Sequence, residues 1–423
     1  MAFRRAALLC VCFALLAAAQ KPLRTKDVRE MAKGGVNAIP KLAALLANPD
    51  VDIRREAVKQ IDQIGTQYSL DPLIRATHDN DPEVQIRATD GLVNFYLPGY
   101  LRTGFGSSLR RVGTSIKGHF TDTNDQVIDP YITPRTDVVA ALGSLVRGGA
   151  SLDSRANAAR AIGVLRGKAA IPDLVHALHS KDSDVIYEAL VALQKIRDRD
   201  AAQNAAFLLH DLDPKVQITA IQTAGLLLNR SALPDLVDVL NHTGDAKVRR
   251  AALTSIAMMP DPSSREIYAR YLSDKDENMR AAAAEGYARL RNPADLPLLE
   301  KAYQDEAKIS PRLSMAFAMV MLGKTEISEF SPLQYLINTL DSAAYHGVAF
   351  PFLVELARDP AVRRKLYPAL QQGTKDEKIY LAQVIARSGD RSDIPQLQKL
   401  SHDDDADVAR EALRALQNLQ SRT

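Results

Sequence analysis

The sequence predicts an all-α protein: a right-handed α–α superhelix of about eleven stacked helix pairs, interrupted by one irregular insertion. Three observations carry this. A turn-and-helix pattern recurs about every 31 residues, and small residues fill the same columns in successive repeats. Composition also favours helix, with an alanine run at 281–284 and only 21 glycines in 423 residues.

Each repeat reads alike. A first helix opens on Pro40, Pro72, Pro172, Pro234, Pro297 or Pro395, where a missing N–H costs nothing. An acidic turn follows, as in Asn48-Pro49-Asp50, Asp79-Asn80-Asp81, Asp182-Ser183-Asp184, Asp211-Leu212-Asp213 and Asp403-Asp404-Asp405. Asp and Asn there suit the cap of the second helix and its dipole. The first aliphatic residue of that helix sets the register: Val51, Val84, Leu152, Val185, Val216, Val248, Met279, Ile309, Ile379 and Val408. One more unit fits between Ile309 and Ile379, with helices over 331–340 and 342–357. The step from Val84 to Leu152 is 68 residues, one unit plus roughly 35 more.

The columns are more telling than the spacing. Four residues after the register position stand Ala88, Ala156, Ala189, Ala220, Ala252, Ala283 and Ala412. Seven after it stand Gly91, Ala159, Ala192, Thr223, Ser255, Gly286, Ala316, Ala386 and Ala415. Eleven after it the residues are large and apolar, as at Ile196, Leu227, Met259, Val320 and Leu419. These offsets share one helix face. Small residues let neighbouring helices approach, and large ones seal each layer. A single pair cannot bury such a stripe, but a stack can.

The stretch Ala170-Ile171-Pro172-Asp173-Leu174 to Ala189-Leu190-Val191-Ala192-Leu193 resembles the bacterial HEAT repeat of phycobilisome chromophore lyases. Val248-Arg249-Arg250-Ala251-Ala252-Leu253 resembles it too, and the likeness extends over about residues 36–420. It implies a HEAT solenoid whose second helices line a concave, binding surface. Pairs about 9 Å apart give a curved rod on the order of 100 Å long. The repeat serves unrelated roles, so it does not by itself imply an activity.

The first nineteen residues stand apart. Arg4 and Arg5 precede an apolar run over 6–16, and Ala17, Ala18 and Ala19 supply small residues for cleavage before Gln20. The expectation is an exported protein, periplasmic or secreted, with no transmembrane segment after cleavage. Cys10 and Cys12, the only cysteines, fall inside this segment. A thiol nucleophile and Cys-ligated metal are therefore not expected in the mature chain. Removing Arg4 and Arg5 leaves 52 Lys and Arg against 51 Asp and Glu, a balance that does not point to nucleic acid.

The expected organisation is a signal peptide over 1–19, N-terminal repeats over 20–96, the insertion over 97–136 and the main array over 137–423. A β-hairpin pairing 114–120 with 126–131 is one possibility within the insertion. The segment gathers Arg102, Arg110, Arg111 and Lys117, with Phe120 and Tyr131, in a chain only 5% aromatic. Basic and aromatic residues tend to anchor interfaces, so these six are the candidate binding residues. A flap that merely packs over the seam, or a disordered segment, is the alternative.

No catalytic or metal-binding residues, and no cofactor, are expected. The architecture resembles deoxyhypusine hydroxylase, which holds iron with His-Glu dipeptides on several repeats. None of the eight histidines here is followed by Glu. His176 and His179 have chelating spacing but no evident third ligand. The function expected is a non-enzymatic scaffold for a protein or peptide partner in the cell envelope. The alternative is an envelope enzyme or metal- or cofactor-binding HEAT protein, hydroxylase- or lyase-like.

Overall fold

The computed structural model describes residues 23–100 and 127–422. All regular structure among them is helical. One row of helices runs through the array: α1 (Thr25–Ala32), α2 (Val51–Ile64), α3 (Pro82–Tyr96), α4 (Leu152–Val164), α5 (Ser183–Ile196) and α6 (Pro214–Leu226). It continues through α7 (Ala246–Met258), α8 (Glu277–Leu290), α9 (Ile309–Met321), α10 (His346–Leu356), α11 (Lys375–Ser388) and α12 (Ala406–Arg422). Each packs on the next, α3 on α4 included, so the row is continuous across the insertion. Among the described residues, mostly shorter helices form a second layer behind α2–α12, giving eleven pairs after α1.

The turns fold as their aspartates predict. Asp50, Asp81, Asp182, Asp213, Asp245, Asp276 and Asp405 each cap the following helix, accepting from a backbone N–H two or three residues on. The same turns tie neighbouring units together. Arg54 bonds Asp79 at 2.7 Å, Arg55 bonds Asp81 at 2.7 Å, Arg250 bonds Asp276 at 2.6 Å and Lys378 bonds Asp403 at 2.8 Å. The Arg55 guanidinium holds the Asp81 carboxyl below its usual range.

The register needs correcting at four units. Val51 and Ile379 are only half-buried, and Leu152 and Ile309 are 48% and 41% exposed. The buried residues two positions away take the place instead: Ile53, Ser154, Pro311 and Glu377. Ile53 then lies 31 residues before Val84, and Ser154 lies 31 before Val185. Ser154 and Glu377 hid the register because each is paired locally rather than apolar. Ser154 closes a capping box with Ser151, and Glu377 one with Thr374.

Close approach enforces this alignment. A Cβ on Gly163 in α4 would lie 2.8 Å from Ala192 Cα in α5. A Cβ on Gly225 in α6 would lie 2.8 Å from Ser255 Cα in α7. Both glycines follow their corrected register residues, Ser154 and Val216, by nine positions.

The outer helices begin about one turn before the prolines that were expected to open them. A 3-10 turn such as Lys168–Ala170, Arg230–Ala232 or Arg391–Asp393 leads into them, and proline then occupies the second position of the α-helical part, or the third at Pro72. Behind α6, Arg199–His210 winds as a 3-10 helix throughout, which nothing in its sequence explains. Within the expected hairpin, residues 127–131 form no strand, and the rest of it lies outside the described residues.

Candidate functional site: the inner face and its closure

The α1–α12 row lies on the inside of the curve. Arg289 on α8 reaches past α9 to Glu355 on α10, bonding its carboxylate twice at 3.0 and 2.8 Å. Helices two units apart can touch only where the stack bends towards itself. The same guanidinium meets Glu285 at 3.2 Å and lies 5.4 Å from the Phe317 ring centroid, while Phe317 stacks on Phe352 at 4.6 Å. Burial pushes the Glu285 carboxyl up, against the opposing pull of Arg289.

A second group lies on α3–α5. Asn157 donates to Asp90 at 3.0 Å, and Arg160 pairs with Glu188. Lys195 is buried beside that pair. Burial pushes its ammonium down to about 8; Glu188 opposes this and Arg160 adds to it.

The last helix of the curve meets the third unit. Backbone N–H of Ile128 donates to Val164 at the end of α4, 3.0 Å away, and the Ile128 side chain is buried in the core. The next residue, Asp129, accepts from Arg414 of α12 at 3.0 and 3.3 Å. An extended rod would hold α4 and α12 about 70 Å apart at the usual helix spacing, so the rod expected from the repeat count is wrong: the array curls until its last helix returns to α4.

Three more arginines converge here. Arg166 and Arg197 follow α4 and α5 in left-handed conformations, φ 49° and 59°. Arg387 stands in the last turn of α11, 4.7 Å from the ring centroid of Phe350. Arg166 is within electrostatic reach of both, and of Asp129. Beside Arg387 runs an aromatic stripe: Phe350 packs on Tyr380, which stacks on His346 with ring centroids 5.0 Å apart.

Of the six residues singled out from sequence, Arg102, Arg110, Arg111, Lys117 and Phe120 lie outside the described residues. Tyr131 is described: its hydroxyl donates to Asp129 at 3.1 Å beside Arg414, so it braces the closure. His176 and His179 are both exposed, and His179 stacks on Phe207 of the next unit at 4.7 Å. Among the described residues no three His, Cys, Asp or Glu side chains cluster as a metal site. Sequence reasoning missed the arginines of the closure. Their one local signal is Arg directly after the last buried apolar residue of a helix, as in Leu165-Arg166 and Ile196-Arg197, where glycine is the usual occupant.

The HEAT repeats family matches residues 39–102, 139–206, 204–267 and 236–319, more than half of the chain. The chain belongs to the HEAT-repeat family. The helix pairing continues unchanged in kind beyond 319, to the end of α12. No curated protein matches the HEAT array over its sequence. Among solved structures, an engineered protein is 20% identical, with 90% of this chain and 98% of that chain covered and a TM-score of 0.38. The complex of CpcE and CpcF of phycocyanin lyase from Nostoc sp. PCC7120 is 18% identical, with 64% and 94% covered and a TM-score of 0.39. No helix of the described residues is long and apolar enough to cross a membrane.

Proposed function

We propose that this protein is a non-enzymatic scaffold, exported to the cell envelope or beyond, that holds a protein or peptide segment against the inner face of its HEAT array. The observation that carries the reading is the inner surface itself. The α10–α11 stripe of His346, Phe350 and Tyr380 leads to Arg387 on the same face, and aromatic and Arg side chains are the types that anchor interfaces. Glu188 and Glu355 are ion-paired to Arg160 and Arg289, which fits framework roles better than acid–base work. Export rests on the residues of the first nineteen positions, which lie outside the described ones.

A photo-reactive amino acid at Tyr380, compared with one at the outward Leu298, tests the binding surface in the producing cell. The expected result is a discrete adduct from position 380 alone. Adducts from position 298 only, or equal adducts from both, overturn it. Recovery of the protein from the external fraction, with Gln20 as its first residue, tests export; a cytoplasmic chain that retains Met1 overturns that part.

A further inference from the structure

We propose that Arg312, held between Tyr303 and Tyr335, is a binding site for a carboxylate that this chain does not itself supply. The site lies where the start of α9 meets the outer helices, so the inference stands apart from the reading of the inner face.

The argument begins with one position of the repeat. The residue after the corrected register residue is basic in six units: Arg54, Arg155, Arg249, Arg280, Arg312 and Lys378. Four of the five arginines donate to the backbone carbonyl six residues back, at Asn48, Gly149, Thr243 and Asp274. Arg54, Arg280 and Lys378 reach an acid at the next unit's turn: Asp79 at 2.7 Å, Glu306 at 2.7 Å and Asp403 at 2.8 Å. The Arg312 side chain makes neither contact among the described residues; its partners there are aromatic rings.

The sequence shows why. The three acids stand 25 or 26 residues after their cations. The same steps from Arg312 lead to Ile337, which is buried in the core, and to Asn338, whose side-chain oxygen accepts from Gln334 at 2.6 Å. The acid of that turn, Asp341, comes later in the chain and accepts from Thr374.

Two tyrosines frame the guanidinium instead. Tyr303, on the outer helix Leu296–Asp305, has its ring centroid 4.7 Å from the guanidinium carbon, and Tyr335, on the next outer helix Pro332–Asn338, has its centroid at 5.8 Å. The two rings meet edge to face at 6.2 Å. Such contacts steady a cation but use none of its five N–H donors. Nε is buried and makes no hydrogen bond, whereas the Nη groups are not closed off in this way. The Nη pair is therefore the edge left for a ligand. The sister units indicate its class. Arg54 and Arg280 each hold one carboxylate through two N–H groups, at 2.7 and 3.0 Å in both cases, and a guanidinium edge matches the fork of a carboxylate. An Asp or Glu side chain of a partner and a small free carboxylate share this chemistry.

The test uses the purified full-length protein and an amidated Gly-Ser peptide with two central Glu residues, labelled with a neutral fluorophore. Its Gln counterpart is the control, and sodium acetate and inorganic phosphate are competitors at constant ionic strength. Binding is read by fluorescence anisotropy. The Glu peptide should bind at least about tenfold more tightly than the Gln peptide, as charge-assisted hydrogen bonds would give, and Arg312→Gln should remove that preference. Displacement by acetate supports the site with any small carboxylate as ligand; resistance to acetate supports it with the peptide around the carboxylate required. Phenylglyoxal labelling of Arg312, read by mass spectrometry, checks the contact without a substitution: the Glu peptide should slow it and the Gln peptide should not. Equal binding of the two peptides, stronger displacement by phosphate than by acetate, an undiminished preference in folded Arg312→Gln, or labelling that the Glu peptide leaves unchanged overturns the assignment. Cross-linking at position 380 reports on the inner face alone, so either reading can fail while the other survives.

Discussion

Asp129 and Arg414 are 285 residues apart in sequence, and their side chains meet at 3.0 Å. Asp129 is fixed from the other side by the bond from Ile128 to Val164. The pair therefore joins the third unit of the array to its eleventh. Arg414 is more than half exposed, so the bond itself is worth at most about 1 kcal/mol. Asp129→Asn should leave the melting temperature nearly unchanged yet raise the radius of gyration in X-ray scattering, and high salt should do the same to the wild type. An unchanged scattering profile in both cases shows that helix packing alone sets the curl.

Gly163→Ala sets two effects against each other. Alanine is favoured over glycine within a helix by about 1 kcal/mol. The new Cβ, however, would lie 2.8 Å from the backbone Cα of Ala192, which cannot turn aside. Overpacking typically costs about 1–3 kcal/mol, so the variant should melt below the wild type. Ala189→Leu and Ala252→Leu, at fully buried positions of the small-residue column, should lose a similar amount. A rise in melting temperature for Gly163→Ala means that α4 and α5 separate freely.

The fold was legible because it is periodic. Ala189, Ala220, Ala252 and Ala283 repeat at nearly constant spacing, and one misread unit does not spoil the others. Three of the four misread units have a polar residue or proline at the register position, Ser154, Pro311 and Glu377; in the fourth, Val51 stands two residues before the buried Ile53 and is itself aliphatic. The site was not legible, since closure sums a small rotation over many units and no local pattern encodes that total. Arg166 and Arg387 look like ordinary helix ends until the curl brings them together. The expected basic surface in the insertion drew on the same residue types, but the described cations of the closure come from α4, α5, α11 and α12.

Arg363 and Asp393 form a buried pair in the C-terminal units. Their side chains are 3% and 0% exposed and bond at 3.0 Å, and Tyr367 donates to the same carboxylate at 2.5 Å. Burial and Asp393 push the Tyr367 phenol up to about 12. Arg363→Ala strands a buried carboxylate, which costs about 3–5 kcal/mol. In a repeat array the loss should be local. Hydrogen exchange is expected to speed up first in α11 and α12, with α2–α5 little changed; uniform loss of protection along the chain argues against independent units.

Lys195 gives the array a specific pH dependence. Its ammonium is held at about 8 by burial, against 10.5 when unperturbed. In the unfolded chain the group binds its proton up to the higher value, whereas in the folded chain it releases it at the lower one. Between those two pH values the unfolded state carries the extra proton, so stability rises with pH. Below about 8 both states are protonated and the folded state bears a constant penalty, of order 3 kcal/mol for such a shift. Lys195→Met removes the ionisable group and keeps most of the buried stem. It should therefore melt above the wild type near neutral pH, and the gap should close as pH climbs from about 8 to 10.5. Taking the difference between the two proteins cancels the tyrosines and other lysines that titrate in the same range. Melting curves across that window decide the matter: a gap that does not change with pH means that Lys195 keeps its charge in the fold, stabilised by Glu188 despite the neighbouring Arg160.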